Sequence, residues 1–151
     1  MPTKRHQNIP ASYLTLIKDS KILLLRRANT GFEDGNYSMI AGHVDPNETF
    51  TRCVIREARE EAGIVLKPEN LKVAHVMHRK SNNEERVDFF FVAEKWDGEI
   101  INKEPHKCDE LSWFDLDNIP KNTISYVKQA ISAIRNKVYY SENGWDEQNI
   151  A

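Results

Sequence analysis

From Ala11 to Lys18 the chain alternates in part, with Tyr13, Thr15 and Ile17 set against Leu14 and Leu16, and this spacing predicts a strand. Lys18-Asp19-Ser20-Lys21 reads as a turn, and Ile22 to Leu25 is an unbroken apolar run suited to a strand covered on both faces. Together they predict a hairpin. Ala28 to Asn36 contains Gly31 and Gly35 and reads as a loop, and Tyr37 to Ile40 as a short strand that delivers the chain to Ala41-Gly42. Leu71 to His78 and Val87 to Ala93 predict two more strands, joined by the polar loop Ser81-Asn82-Asn83-Glu84. Phe89, Phe90 and Phe91 in a row imply apolar surroundings on both faces. Ile100 to Lys107 carries Pro105 and no clear period, whereas Glu110 to Phe114 alternates around Leu111 and Trp113. Ile124, Val127, Ile131, Ile134 and Val138 then form one helical stripe, with Thr123 or Asn122 available as its N-cap and Arg135 and Lys137 suited to its end.

Gly42 to Ile64, GHVDPNETFTRCVIREAREEAGI, holds the one remaining helix. Asn47 and Thr49 offer cap oxygens, Pro46 shapes the preceding turn, and Gly63 suits the left-handed position that ends a helix, so the helix covers about 49–62. Phe50, Cys53 and Val54 begin an apolar stripe, and Glu57, Glu60 and Glu61 continue it at three- and four-residue spacing. Arg52, Arg56 and Arg59 fall on another sector. Glu57 and Glu61 are a like-charge i,i+4 pair, and all three carboxylates lie toward the negative end of the helix dipole. A divalent cation removes both objections, and clustered carboxylate oxygens are what Mg²⁺ or Mn²⁺ takes. Taken alone, the helix would read as a solvated charged face with Arg56 and Glu60 paired at i,i+4.

Composition narrows the alternatives. A chain of 151 residues is one domain with room for a proper core. A net charge of −2 supplies no broad basic field, so no stable nucleic-acid complex is expected. No apolar run approaches a membrane span and MPTKRHQNIP has no signal-peptide core, so the expected location is cytoplasmic. Cys53 belongs to the helix stripe, Cys108 precedes a strand, and no disulfide framework is expected. His75 and His78, three apart on a strand, point to opposite faces and cannot share one zinc. Gly31 to Gly35 lacks the lysine and hydroxyl of a phosphate-binding P-loop.

Spacing changes the reading of the helix. Gly42, Glu48, Arg56, Glu57, Glu60, Glu61 and Gly63 fit G-x5-E-x7-R-E-u-x-E-E-x-G-u, with apolar Ala58 and Ile64 at the u positions. At average composition such a set arises by chance about once in a million chains of this length or less often. The segment resembles the Nudix box, and the chain is similar to the Nudix hydrolases from about Ala11 to Val138. The resemblance implies an α/β (α+β) fold, an α/β/α sandwich around a mixed β-sheet, with the box at one edge of a cleft. It implies a catalytic domain at 11–138, while the polar start at 1–10 is expected to be loose and 139–151, with Glu142, Asp146 and Glu147 and no lysine or arginine, reads as an acidic tail. Trp145 argues that this tail docks, on this domain or on a second copy, which leaves a homodimer open.

The implied chemistry is hydrolysis of a phosphoanhydride with two or more Mg²⁺ or Mn²⁺ ions. By resemblance, Glu57 and Glu61 are the main metal ligands, Glu60 is a third ligand or orients water, and the carbonyl of Ala41 joins them. Arg56 holds a glutamate in place, Glu48 supports the loop or the outer metal shell, and Gly42 and Gly63 are structural. Relatives differ in which glutamate is the base. Glu110 stands where many carry an additional glutamate, and it is equally a strand-edge charge. Ile40-Ala41-Gly42 replaces the Pro-Gly-Gly that often enters the box. His43 either reaches a phosphate or sits in the loop. Arg27 either faces the nucleotide or is a solvated strand-end charge, and Tyr37 packs. The partner is a small-molecule nucleotide. The leading expectation is a nucleoside triphosphate cleaved to monophosphate and pyrophosphate. The alternatives are ADP-ribose or a nucleotide sugar, and a non-catalytic nucleotide-sensing module.

Overall fold

The computed structural model describes residues 3–146. Its strands are β1 (Ile9–Lys18), β2 (Lys21–Arg27), β3 (Tyr37–Ser38), β4 (Ile40–His43), β5 (Lys72–Ser81), β6 (Glu84–Ala93), β7 (Cys108–Asp115) and β8 (Tyr140–Asn143), and its helices are α1 (Phe50–Ala62) and α2 (Ser125–Arg135). The sheet runs β3-β2-β1-β6-β5-β8, with β4 added to β1 and β7 to β2. The β1–β6 and β5–β8 pairs are parallel and the others antiparallel, so the sheet is mixed.

Alternation along the strands separates two cores. Tyr13, Ile22, Leu24, Met77 and Phe90 face α2, where Val127, Ala130 and Ile131 close over them. Leu14, Leu16, Leu23, Leu25 and Phe91 face α1, against Val54, Ala58 and Ala62. The apolar run Ile22 to Leu25 is therefore buried on both faces, as its composition predicts. Full burial of a side chain such as Leu24 or Phe90 stabilises the fold by about 2–3 kcal/mol. The result is an α/β/α sandwich.

Several boundaries differ from the sequence reading. The β1–β2 hairpin is joined through Asp19 and Ser20, both with positive φ, yet β2 stays paired to β1 only at Ile17–Ile22 and Lys18–Lys21 before turning to β3 and β7. This divergence opens the sheet where β4 inserts beside β1. The predicted strand 37–40 is two strands, β3 and β4, on different neighbours. Ser81 and Glu84 pair, so the β5–β6 loop shrinks to Asn82-Asn83, with Asn82 at φ 56. At α2 neither proposed residue caps. Ile124 holds the N-cap position, and the Thr123 hydroxyl donates to the Pro120 carbonyl instead. Val138 lies past the end of α2 and is exposed, so the helical stripe ends at Ile134. Ile9 and Pro10 already belong to β1, and Tyr140–Asn143 pairs with β5, so ordered strands extend past both ends of the 11–138 span. Residues 147–151 of the tail lie outside the described residues. Among the described residues no helix is long and apolar enough to cross a membrane.

Candidate active site

The loop from β4 to α1 is fixed by short-range chemistry. Thr49 caps α1 by accepting from Arg52 N at 3.0 Å, worth about 1 kcal/mol. Gly63 ends the helix at φ 69. Cys53 is fully buried against the carbonyls of Gly42 and His43, the Ser12 hydroxyl donates to Phe50 O at 2.8 Å, and Phe50 stacks on Phe89. Phe89, Phe90 and Phe91 all serve packing. Helix α1 is thereby pinned to β1 and β6 with its carboxylates against the end of β4.

The buried stripe of α1 is Cys53, Val54, Ala58 and Ala62, not the glutamate positions. Glu57 and Glu61 border that stripe, and Glu60 is 53% exposed. Ala41 N donates to Glu61 Oε2 at 3.1 Å. Gly42 lies so close to Glu57 that an added Cβ would collide with the carboxylate. Glycine leaves room there for the carboxylate, which any larger residue would push aside.

Arg56 does not stay on a separate sector. Its guanidinium donates from Nε to Glu48 Oε2 at 2.8 Å, from Nη2 to Glu48 Oε1 at 3.0 Å and to the His43 carbonyl at 3.2 Å, and from Nη1 to Glu57 at 2.7 Å and Glu60 at 3.3 Å. The long side chain reaches around the helix, which a wheel of Cα positions does not capture. Glu48 also accepts from Asp45 N at 3.0 Å. The hydrogen bonds from Arg56 draw Glu48 down to a pKa of about 2.

Glu57 and Glu61 behave in the opposite way. Burial raises Glu57 although Arg56 pulls it down, and burial raises Glu61 well above the usual carboxylate range, with repulsion from Glu57 and then Glu104 adding to it. Two desolvated carboxylates side by side need a proton or a cation. As they stand, no three acidic, histidine or cysteine side chains among the described residues converge tightly enough to cage an ion. Arg56 meanwhile engages two of the carboxylates that a cage would use. The donor set itself, hard oxygens with Glu57 and Glu61 drawn largely out of water and Glu60 open to it, fits Mg²⁺ or Mn²⁺.

These groups line an open cleft of about 610 Å³, whose wall includes Arg27, Ala41, His43, Arg56, Glu57, Glu60, Glu61, Glu104 and Lys107. A second chamber of about 340 Å³ adjoins it on the α2 side and shares Arg27, Ala41, Gly42 and His43 with it. Arg79, Arg86, Tyr13 and Tyr126 line this chamber, and Phe32, 44% exposed, stands at its edge. Arg27 donates from Nε to the Phe32 carbonyl at 2.7 Å and lies under the Phe32 ring. His43 meets Arg86 Nη2 at 2.9 Å, and burial, then Arg86, lowers its pKa. Both residues that the sequence assigned to substrate thus line both spaces.

Glu110 does not join them. It pairs with Arg26 across β2–β7, and its neighbour Leu111 faces the α1 core, so alternation sends Glu110 to the opposite face, where it accepts from the Tyr37 hydroxyl. The carboxylate outside the box that does line the cleft is Glu104, in the unpatterned segment before β7. No periodicity could have singled it out. Arg79, Arg86 and Tyr126 were also missed. Arg79 lies one residue past the predicted strand Leu71 to His78, where a lone arginine reads as a surface charge, and β5 in fact continues to Ser81.

Helices on both faces of a mixed sheet, with a carboxylate-bearing helix set against a glycine-containing strand at a cleft, define the structural class. A NUDIX domain model matches residues 8–133, and the chain belongs to that family, as its resemblance to the Nudix hydrolases implies. The chain is 33% identical over 115 residues to an NAD-capped RNA hydrolase NudC of Chromobacterium violaceum, covering 76% of this chain and 41% of that protein. It is 31% identical over 111 residues to an ADP-ribose pyrophosphatase of Methanocaldococcus jannaschii, covering 74% and 64%. The chain thus spans about two fifths of the NudC relative's length. A MutT NUDIX hydrolase from Burkholderia pseudomallei superposes with a TM-score of 0.77 at 29% identity, covering 84% of this chain and 98% of that one.

Proposed function

We propose that the protein is a divalent-metal-dependent hydrolase of a phosphoanhydride in a nucleoside diphosphate linked to a further group, with a nucleoside triphosphate as the leading substrate. The observation that carries this reading is the desolvated pair Glu57 and Glu61 against the end of β4, in a cleft continuous with a chamber sized for an organic group. Glu57, Glu61, Glu60 and the Ala41 carbonyl would hold Mg²⁺ or Mn²⁺. When bound, the metal neutralises phosphate charge and lowers the pKa of a water. The chain's own part is to orient and to move protons. Glu48 anchors Arg56, so Arg56 can release Glu57 and Glu60 without leaving the loop. Glu104, which lines the cleft where Glu110 does not, is our assignment for the group that takes a proton from the attacking water. Arg27 and Lys107 offer cations to phosphate oxygens.

A second reading, a nucleoside diphosphate joined to a sugar or second nucleoside, is favoured by the two-part cleft and by the substrates named for the NudC and ADP-ribose pyrophosphatase relatives. One screen tests both. It measures phosphate and pyrophosphate release with Mg²⁺ and with Mn²⁺ from nucleoside triphosphates, ADP-ribose, nucleotide sugars and dinucleotides. The expected result is hydrolysis of at least one class, reduced about a hundredfold or more in Glu61→Gln. Full turnover in that variant would remove the chemistry from α1. A folded protein that binds nucleotides and cleaves none would make it a sensing module.

A further inference from the structure

The segment after α2 lies beyond the span matched by the family model, which ends at residue 133, yet it is tied to the wall of the second chamber. Strand β8 runs parallel to β5 in the register Val76–Tyr140, Met77–Ser141, His78–Glu142 and Arg79–Asn143, so its last pair is the residue that reaches the chamber. His75 is fully buried and holds the strap with both ring nitrogens, Nδ1 at 2.7 Å from the Val138 carbonyl and Nε2 at 2.7 Å from Ser141 Oγ. Gln129 of α2 donates to Ser141 Oγ and to the Glu142 carbonyl and accepts from Asn143 Nδ2. Beyond β8, Trp145 Nε1 donates to the His78 carbonyl at 3.0 Å while its ring packs on His78 and under Lys80. Gly144, at φ 84, runs so close to Lys80 that a Cβ there would strike the Lys80 carbonyl.

Arg79 is held on every other side by the domain itself. It donates from Nε to Asp88 at 2.7 Å and from Nη2 to Tyr13 at 3.3 Å, and its guanidinium lies 3.8 Å from the centre of the Tyr126 ring. Tyr126 sits three residues before Gln129 on α2, so one helix face contacts both Arg79 and the strap.

We propose that residues 138–145 form a positioning strap that fixes Arg79, and through it the grip of the second chamber on the organic group beyond the scissile anhydride. The strap touches none of the box carboxylates. It sets binding, and the reaction stays with α1. The proposal rests on the function proposed above only for its kinetic readout.

Trp145→Ala and Gly144→Ala test it, compared by thermal melting, by NMR of the Arg79 Nε–H, and by kinetics on whichever substrate the screen identifies. In the wild type the Arg79 Nε–H, bonded to buried Asp88, is expected to exchange slowly. In the variants it is expected to exchange faster, with KM raised about tenfold and kcat within about twofold, the pattern of a lost uniform binding contact. Trp145→Ala removes a ring without adding bulk, so it covers the case in which Gly144→Ala does not fold. A folded variant with faster amide exchange across Tyr140–Asn143 but an unchanged Arg79 Nε–H and KM would overturn the proposal. So would a fall in kcat at constant KM. Should the protein hydrolyse nothing, the function proposed above falls and the Arg79 signal still decides the strap.

Discussion

At the scale of single residues, Gly42 shows how a site constrains the backbone that approaches it. Its φ is not in the left-handed region, so conformational freedom is not the reason for glycine. The reason is the Glu57 carboxylate directly over the Cα. Gly42→Ala is expected to fold, because the obstacle is the end of a side chain, but Glu57 must leave its bond to Arg56. The Mg²⁺ concentration needed for half-maximal thermal stabilisation should rise about tenfold or more, the usual effect of disturbing a ligand's support. A Mg²⁺ titration followed by melting temperature checks this, and an unchanged midpoint would separate Glu57 from the metal. Glu110 and Glu104 carry the opposite lesson about single positions. Order along the chain suggested Glu110, but strand alternation decides where a side chain points, and it turns Glu110 toward Tyr37. Glu104 reaches the cleft from a segment whose shape comes from local bonds. Asn102 accepts from its N–H, and Lys107 and Cys108 donate to its carbonyl.

At the scale of elements, α1 was legible because cap, stop and motif are local: Thr49 and Gly63 fix its ends through residues near in sequence, and the glutamate spacing marks its face. What the wheel missed was the reach of Arg56 and the role of small Ala58 and Ala62, which let the helix pack close to the sheet. The segments that shifted, β3–β4, the β5–β6 turn and β8, depend on partners distant in sequence. The raised carboxylates of α1 give a prediction with a definite sign. A group whose folded pKa lies above its unfolded value contributes stability below the unfolded pKa and loses it as pH rises through the folded one. Glu57 and Glu61 are both raised. The metal-free protein should therefore lose melting temperature as pH climbs past the ordinary carboxylate range. Mg²⁺ should restore it, because a cation stabilises the ionised pair in place of protons. Glu61→Gln should flatten the metal-free curve and abolish most of the Mg²⁺ effect. A metal-free wild-type curve that rises over this range would mean that Glu57 and Glu61 are not desolvated together.

At the scale of the molecule, the sheet divides labour between its faces. The α1 face carries the carboxylates and the α2 face carries the second chamber, and the two meet only at Arg27 and the end of β4. The chamber floor is a buried ion pair. Asp88 is fully buried and the Arg79 side chain is 5% exposed. Asp88 Oδ1 and Arg86 Nε lie 3.9 Å apart, and neither has a hydrogen-bond partner. Burial pushes Asp88 up while Arg79 pulls it down. Such a pair contributes little net stability but is costly to halve, since the survivor stays out of water. Arg79→Met is expected to destabilise the fold by about 3 kcal/mol, at the lower end for a broken buried pair because Asp88 can take up a proton once its arginine is gone. That protonation makes the loss depend on pH. In Arg79→Met the folded-state pKa of Asp88 rises further, so the variant should be closest to wild type in acid and fall away as pH rises through that value. Asp88→Asn combined with Arg79→Met should recover much of the loss and erase the pH dependence, while binding in the chamber stays impaired. Denaturant melts of the wild type and both variants across pH, alongside KM for the identified substrate, distinguish the cases. Recovery of stability and KM together would make the pair scaffolding alone, whereas recovery of stability without KM assigns Arg79 to the substrate.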